Sequence, residues 1–273
     1  MVLLERLSSN NFENFKTLNI ERFSKENYDK NFFEYYQSEK FFLRIFLKKF
    51  VKLFVYGKKV IGYIWYEVPV EIPVRIWSLY VKPEYINLLT PNILNSFNNT
   101  VLSYETCEGE INNQTLINLG FNKVKPSILM NIKLNDYNKN IQVDKIKYNL
   151  ENDYKLFSAT TRVPLEIQDI ETDIEQDYYI ENLSLFIKIN DIAIGYGQII
   201  FNRDMYTVVN FGIIKEFRKY GFGKILLNQL IFEAKENGIY ELFIRVEENN
   251  FNALKLYNWI GFRPKSIINK WER

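Results

Sequence analysis

Two stretches of this chain share one shape. Residues 52–81 read KLFVYGKKVIGYIWYEVPVEIPVRIWSLYV and residues 184–214 read SLFIKINDIAIGYGQIIFNRDMYTVVNFGII. Leu53-Phe54 answers Leu185-Phe186, Ile61-Gly62-Tyr63 answers Ile194-Gly195-Tyr196, and Val81-Lys82 answers Ile214-Lys215. Further on, LGFNKVKPS (119–127) answers IGFRPKS (260–266). Matches that recur at an offset of about 130 to 140 residues mark two copies of one domain-sized unit. In the later copy, apolar runs flank Asn190-Asp191 and then Asn202-Arg203-Asp204, the pattern of an antiparallel meander. The polar segment LNDYNKNIQVDK (134–145) is the expected linker, so the division falls at 1–138 and 139–273. Each half reads as α+β: leading helices, a meander, a helix, a strand, a second helix and closing strands.

Behind the second meander stands RKYGFGKILL, residues 218–227. Leu226, Leu227, Leu230, Ile231 and Ala234 then recur at helical spacing, and Asn237-Gly238 is a stop signal. The glycines therefore lie where a strand turns into a helix. The first amides of a helix have no intrahelical acceptor and its dipole is positive there, so the turn suits an anion, phosphate above all. Two nucleotide motifs do not fit. A P-loop needs Ser or Thr after its Gly-Lys, and Gly223-Lys224 is followed by Ile225; the dinucleotide fingerprint needs a third glycine where Leu226 stands.

Histidine is absent from all 273 residues and there is one cysteine, Cys107. Ser-His-Asp and Cys-His catalysis both need an imidazole base, and histidine or thiolate metal sites cannot be assembled, so no metal is expected. A net charge of +2 with no block of Lys or Arg gives no reason to expect nucleic acid or a membrane as partner. A single cysteine, which cannot form an internal disulfide, the lack of an apolar run of spanning length and Glu5 inside a short apolar start together lead to a cytoplasmic expectation. Catalysis, where present, is left to carboxylates, Tyr, Lys, backbone amides and a bound cosubstrate.

The remaining phosphate motif is RxxGxG, met in full by Arg218, Gly221 and Gly223. After the β-rich run YELFIRV come Asn250, Ala253, Leu256-Tyr257 and Gly261-Phe262. In order and spacing these resemble the two signatures of the GNAT acetyltransferase superfamily, and the resemblance covers residues 184–273. It implies two GNAT-like domains in tandem, each a mostly antiparallel twisted sheet flanked by helices, and acetyl-coenzyme A as cosubstrate. The implied pyrophosphate loop is Arg218, Lys219, Tyr220, Gly221, Phe222, Gly223 and Lys224. The implied thioester strand is Val208 to Ile214, where Gly212 would allow a bulge and an amide at Ile213 or Ile214 would polarise the carbonyl. Asn250 would contact the pantetheine arm, and Tyr257 would protonate the leaving sulfur. The family's strand carboxylate is missing, which leaves Glu247 and Glu248 as candidate bases.

The first half is expected to be degenerate. Its loop reads Val81-Lys82-Pro83-Glu84-Tyr85-Ile86-Asn87-Leu88-Leu89 without a glycine, Leu116 stands in the place of Tyr257, and Asn112 in that of Ala253. The acidic run EIQDIETDIEQDYYIE (166–181), with seven carboxylates, suits either a solvated face or a wall that attracts a cationic small-molecule or peptide amine. The aromatic stretch 27–50 is expected to pack helices on the first sheet. Two other functions fit the same pattern: a tandem-domain aminoacyl transferase fed by aminoacyl-tRNA, and a non-catalytic coenzyme-A-binding or scaffolding protein.

Overall fold

The computed structural model describes residues 1–25, 27–68, 73–97, 100–109, 113–135, 137, 178–189 and 192–273. The chain divides into two compact units: Met1–Pro126 with Ile267–Arg273, and Ser127–Ser266. This differs from the sequence division at 138/139. The closing strand of each sequence copy is built into the sheet of the other unit.

In the first unit the order is β1 (Val2–Arg6), α1 (Phe12–Arg22), α2 (Phe32–Ser38), α3 (Phe41–Leu47), β2 (Val51–Tyr56), β3 (Lys59–Tyr66), β4 (Val74–Val81), β5 (Leu102–Cys107) and α4 (Asn113–Asn118). β1 to β4 pair antiparallel in chain order, and β4 pairs parallel with β5. The last partner of β5 comes from the far end of the chain: in β11 (Arg263–Glu272), residues Ile268–Glu272 run antiparallel to Cys107–Ser103. Alternation along the strands sorts the core. Leu53, Val55, Tyr63 and Trp65 face Phe15, Leu18 and Phe32 of the helices, as expected for the aromatic stretch 27–50. Phe54, Ile64 and Tyr66 face Leu94, Phe97, Leu116 and Leu119 on the other side.

The second unit contains β6 (Asn122–Lys133, from Ser127 on), β7 (Ser184–Ile189), β8 (Ile192–Asn202), β9 (Met205–Ile213), α5 (Phe222–Glu236), β10 (Glu241–Glu247) and α6 (Phe251–Ile260). β7, β8 and β9 form the expected meander. β8 and β9 join through Arg203-Asp204, both left-handed (φ 53° and 56°), the geometry a two-residue hairpin turn requires. The expected turn at Asn190-Asp191, the linker from 138 on, Asn112 and residues 166–177 of the acidic run lie outside the described residues. β10 joins β9 in parallel and β6 antiparallel. α5 closes at Asn237-Gly238 as its sequence predicts, with the Gly238 and Ile239 amides donating to the Lys235 and Ala234 carbonyls.

The registers bear on duplication directly. Phe54 pairs with Gly62 and Ile187 with Gly195, and in both hairpins the pairing slips by one residue at the next step, leaving Ile61 and Ile194 extra. One β-bulge thus recurs at the same place in both copies. The register also corrects the letter matching: Phe54 corresponds to Ile187, and Val81, opposite Gly62, corresponds to Ile213, opposite Gly195. Apolar strands slide against one another by a residue when compared by letter alone.

The Ile-Gly-Tyr repeat has a steric cause. A Cβ on Gly62 would lie 2.4 Å from the Tyr80 carbonyl oxygen, and one on Gly195 would lie 2.3 Å from Ile213 Cδ1 and 2.8 Å from the Gly212 oxygen. The copies differ after the meander. Where the second has α5, the first has two 3-10 segments, Pro83–Leu88 and Pro91–Phe97, and the helix expected there is absent. A proline at the start of each segment and the lack of a glycine turn account for the difference. Gly195→Ala is expected to lower unfolding free energy by about 2 kcal/mol, because the added methyl meets strand backbone. Urea denaturation followed by circular dichroism measures the loss.

Candidate active site

The second sheet opens at the parallel pair of β9 and β10. β9 and β10 are in register at Thr207/Phe243 and Val208/Ile244; beyond that point β9 runs on to Ile213 and β10 to Glu247 without pairing. Just past the split the β8–β9 register slips, with Tyr196 opposite Gly212 and Gln198 opposite Val209. Asn210 and Phe211 share the place opposite Gly197, and Asn210 is left-handed (φ 49°). The bulge therefore lies at Asn210-Phe211. Gly212, the position expected to hold it, is regularly paired. Asparagine tolerates the left-handed region better than most residues, and this was the sequence signal for the site of the bulge.

The bulge and alternation decide which amides face the opening. The Ile214 N–H donates to the Ile194 carbonyl (2.8 Å), so it points into the meander and is not available as a polarising donor. Successive N–H groups on a strand point to opposite edges, which turns those of Ile213 and Phe211 toward the split. Of the two amides expected, the geometry leaves Ile213, and it adds Phe211.

The glycine turn closes one end of the opening. Lys215–Phe217 forms a single 3-10 turn, Lys219 is left-handed (φ 72°), and Gly221 is the N-cap of α5 at φ 92°. A non-glycine residue in that region is strained, and such strain gathers at ligand clamps. Among the described residues, the backbone N–H groups from Lys219 to Gly223 have no backbone acceptor, while Lys224 and Ile225 already donate to the Gly221 carbonyl. Nothing lies within 4 Å of where a Gly221 Cβ would stand, so the row of donors is open to a ligand. Gly223 sits where α5 meets Leu256, Ile213 and Phe211.

Three other expected ligand residues have structural duties. Arg218 Nε donates to the Ile213 carbonyl (2.7 Å), which ties the loop to the end of β9. The Lys224 ammonium stands 3.7 Å from the centre of the Trp259 ring, a cation–π contact between α5 and α6. Asn250 caps α6, its Oδ1 accepting from the Ala253 amide (3.3 Å). Tyr220 is exposed and Phe222 half-buried.

Tyr257 lies in α6 on the core side of the split. Its ring meets Phe211 at 6.3 Å and Phe262 at 6.1 Å, and its hydroxyl has no hydrogen-bond partner among the described residues. Burial pushes the phenol up to about 12. Leu116 takes the equivalent place in the first unit: the Phe121 amide donates to the Leu116 carbonyl as the Phe262 amide does to that of Tyr257. Glu247 ends β10, half-buried; by alternation it faces away from Leu242, Ile244 and Val246, which share a core with Tyr257. Glu248 is exposed in the turn before α6.

A mixed sheet that splits between parallel strands, with a glycine-capped helix opening beside the split, is the architecture of GNAT-type acyltransferases. The comparisons agree. Residues 148–262 match the model of the Acetyltransferase (GNAT) family. Over 85 residues the chain is 38% identical to a ribosomal protein bS18-alanine N-acetyltransferase of Haemophilus influenzae, covering 31% of this chain and 58% of that protein. The enzyme of that name from Escherichia coli K12 is 31% identical over 64 residues, covering 23% and 43%. The chain thus spans about half the length of the curated relatives it matches. The structure of a GCN5-related N-acetyltransferase from Sphaerobacter thermophilus superposes with a TM-score of 0.70 at 12% identity, covering 100% of this chain and 95% of that one. A tandem GNAT protein from the clavulanic acid biosynthesis pathway gives 0.63 at 12% identity, covering 100% and 98%. The chain has the fold of tandem GNAT proteins, and residues 148–262 within its second half are similar to the GNAT acetyltransferase family.

If the N–H donors at Lys219–Gly223 hold the phosphates of acetyl-coenzyme A, Gly221→Asp is expected to weaken its binding about 100-fold, by placing a carboxylate among them. Gly221→Ala, which meets open space but keeps φ at 92°, is expected to cost only about 1 kcal/mol of stability. Calorimetric titration and thermal melting separate the two effects.

Proposed function

We propose that the second half, residues 139–273, transfers an acetyl group from acetyl-coenzyme A to a primary amine by direct attack, and that residues 1–138 are a degenerate copy that does no chemistry. One observation carries the reading: a row of unpaired N–H groups at Lys219–Gly223 stands beside a split strand edge with a buried phenol behind it. The turn amides would hold the pyrophosphate. The Phe211 and Ile213 amides would hold the pantetheine arm and polarise the thioester carbonyl, where oxyanion charge develops.

Tyr257 would donate to the departing sulfur. A free phenol loses its proton near ~10 and a thiol near ~8.5, and burial pushes the phenol up to about 12. The same desolvation would raise a thiol in the cleft, so Tyr257 stays protonated and able to donate through the neutral range. Glu247, at the end of a strand that borders the split, and its exposed neighbour Glu248 are the candidate bases. An acceptor that arrives as the neutral amine needs neither.

The acceptor proposed first is a peptide N-terminus, because the curated relatives are named for acetylating an alanine of a ribosomal protein. An α-amine loses its proton near ~8, within reach of a weak base. A soluble, cytoplasmic setting belongs to the same proposal; among the described residues no helix is long and apolar enough to cross a membrane.

With alanine-initiated peptides as acceptors, Tyr257→Phe is expected to lower kcat about 100-fold while the affinity for acetyl-coenzyme A stays unchanged. A variant as active as the wild type would remove Tyr257 from the chemistry. A chain that binds the cosubstrate and acetylates no amine would favour the non-catalytic binding reading. The pH profile should rise as the acceptor amine deprotonates near ~8 and stay level to about pH 10. Tyr257 is neutral in the fold up to about 12 and titrates near ~10 when unfolded, so its stabilising share is complete below pH ~10 and lost between ~10 and ~12. Stopped-assay rates and melting curves from pH 6 to 12 test both statements.

A further inference from the structure

The first sheet splits in the same place as the second. β4 and β5 pair at Val74/Leu102, Arg75/Ser103 and Ile76/Tyr104, and β4 then runs on to Val81 paired with β3 but not with β5. The Lys82 amide donates to Ile61 as that of Ile214 does to Ile194, so by register Leu79 corresponds to Phe211. Here the exposed edge of β4 has a partner from its own unit. The Lys30 amide donates to the Trp77 carbonyl (3.0 Å), and the Leu79 amide donates to Asp29 Oδ2 (3.4 Å).

The Asp29 carboxylate is fully buried and surrounded by donors. Arg22 Nε reaches Oδ2 at 2.8 Å and Ser78 Oγ at 3.0 Å, while the Tyr104 hydroxyl of β5 reaches Oδ1 at 2.7 Å. Behind Ser78 stands a relay: Asn19 Nδ2 donates to the Tyr63 hydroxyl (3.3 Å), which lies 2.8 Å from Ser78 Oγ. Because Ser78 gives its proton to Asp29, Tyr63 is the donor to Ser78, and the whole chain is polarised toward one carboxylate. Burial, with the negative Asp29 alongside, holds the Tyr104 hydroxyl well above its ordinary range, so it remains a donor.

We infer that the split of the first sheet is an anion cradle which the chain fills itself: Asp29 is an internal carboxylate ligand on the Leu79 amide, the equivalent of the Phe211 amide, and this unit takes no acyl-coenzyme A. A buried ion pair is a poor source of net stability compared with apolar packing, yet removing one partner strands the other. Such a pair is suited to fixing where residues 29 and 30 lie, across the strand edge that a cosubstrate would need. Conversion to a second acyl-carrier site would require displacing Asp29 from four donors and Lys30 from β4.

The test uses the full chain. In wild type, hydrogen exchange at the Lys30 and Leu79 amides should be as slow as in the paired part of β4, unchanged by saturating acetyl-coenzyme A. Calorimetry should find one cosubstrate per chain. Asp29→Ala should melt about 10 °C lower, and formate, which fits the vacated cradle, should recover part of that loss where chloride at equal ionic strength does not. Fast exchange at Lys30 and Leu79, a second cosubstrate per chain, an unshifted melting temperature or equal recovery by chloride would each overturn the inference. A wild type that binds no acetyl-coenzyme A would sink the proposed function alone, since the exchange and formate measurements do not depend on it.

Discussion

A backbone edge without a strand beside it is the constraint on which the rest of this structure depends. Where β9 leaves β10, and where β4 leaves β5, N–H and C=O groups inside a sheet lose the partners a ladder would supply. Such groups must be satisfied by something, because leaving them buried and unpaired costs as much as a lost hydrogen bond. The two units answer this differently. The first spends its own residues 29 and 30 on the edge and surrounds Asp29 with donors. In the second, the Phe211 and Ile213 amides face the split, and a glycine-capped helix starts next to them.

The helix follows from the same difference. Gly221 reaches φ 92° and Gly223 lets α5 approach Ile213 and Phe211, so the chain can turn sharply from strand to helix and present its first amides. In the first unit Pro83 and Pro91 start 3-10 segments instead, and among the described residues no long helix opens beside the split. Loss of the phosphate turn, replacement of the phenol by Leu116 and closure of the strand edge are three separate changes. On the proposed reading they act on three parts of one site, and all point away from cosubstrate binding.

Much of the fold could be read from letters. The meander, the strand-to-helix turn and the end of α5 at Gly238 are local features, fixed by alternation, helical spacing and the residues that tolerate positive φ. The duplication was legible because Gly62 and Gly195 are forced by the same close contact. The details of the site were less so. Ile214 and Ile213 look alike in sequence, and only the slip at Asn210-Phe211 decides which amide faces the split. Arg218, Lys224 and Asn250 carry side chains suited to a ligand, yet their bonds to Ile213, Trp259 and Ala253 depend on neighbours that spacing alone does not reveal.

The sequence by itself determined that there are two copies of an α+β unit, that the later copy carries an RxxGxG turn and a tyrosine at family spacing, and that imidazole chemistry and thiolate metal sites are excluded. Only the tertiary structure decided how the closing strands are shared, with Ile268–Glu272 pairing on β5 and Ser127–Lys133 on β10. It also decided that Asp29 lies against Leu79 and Tyr104, far away in the chain. The physical reason is that turns and caps are set by a residue's own backbone preferences, whereas strand partners and buried carboxylates are chosen by whichever distant groups satisfy them in the packed chain.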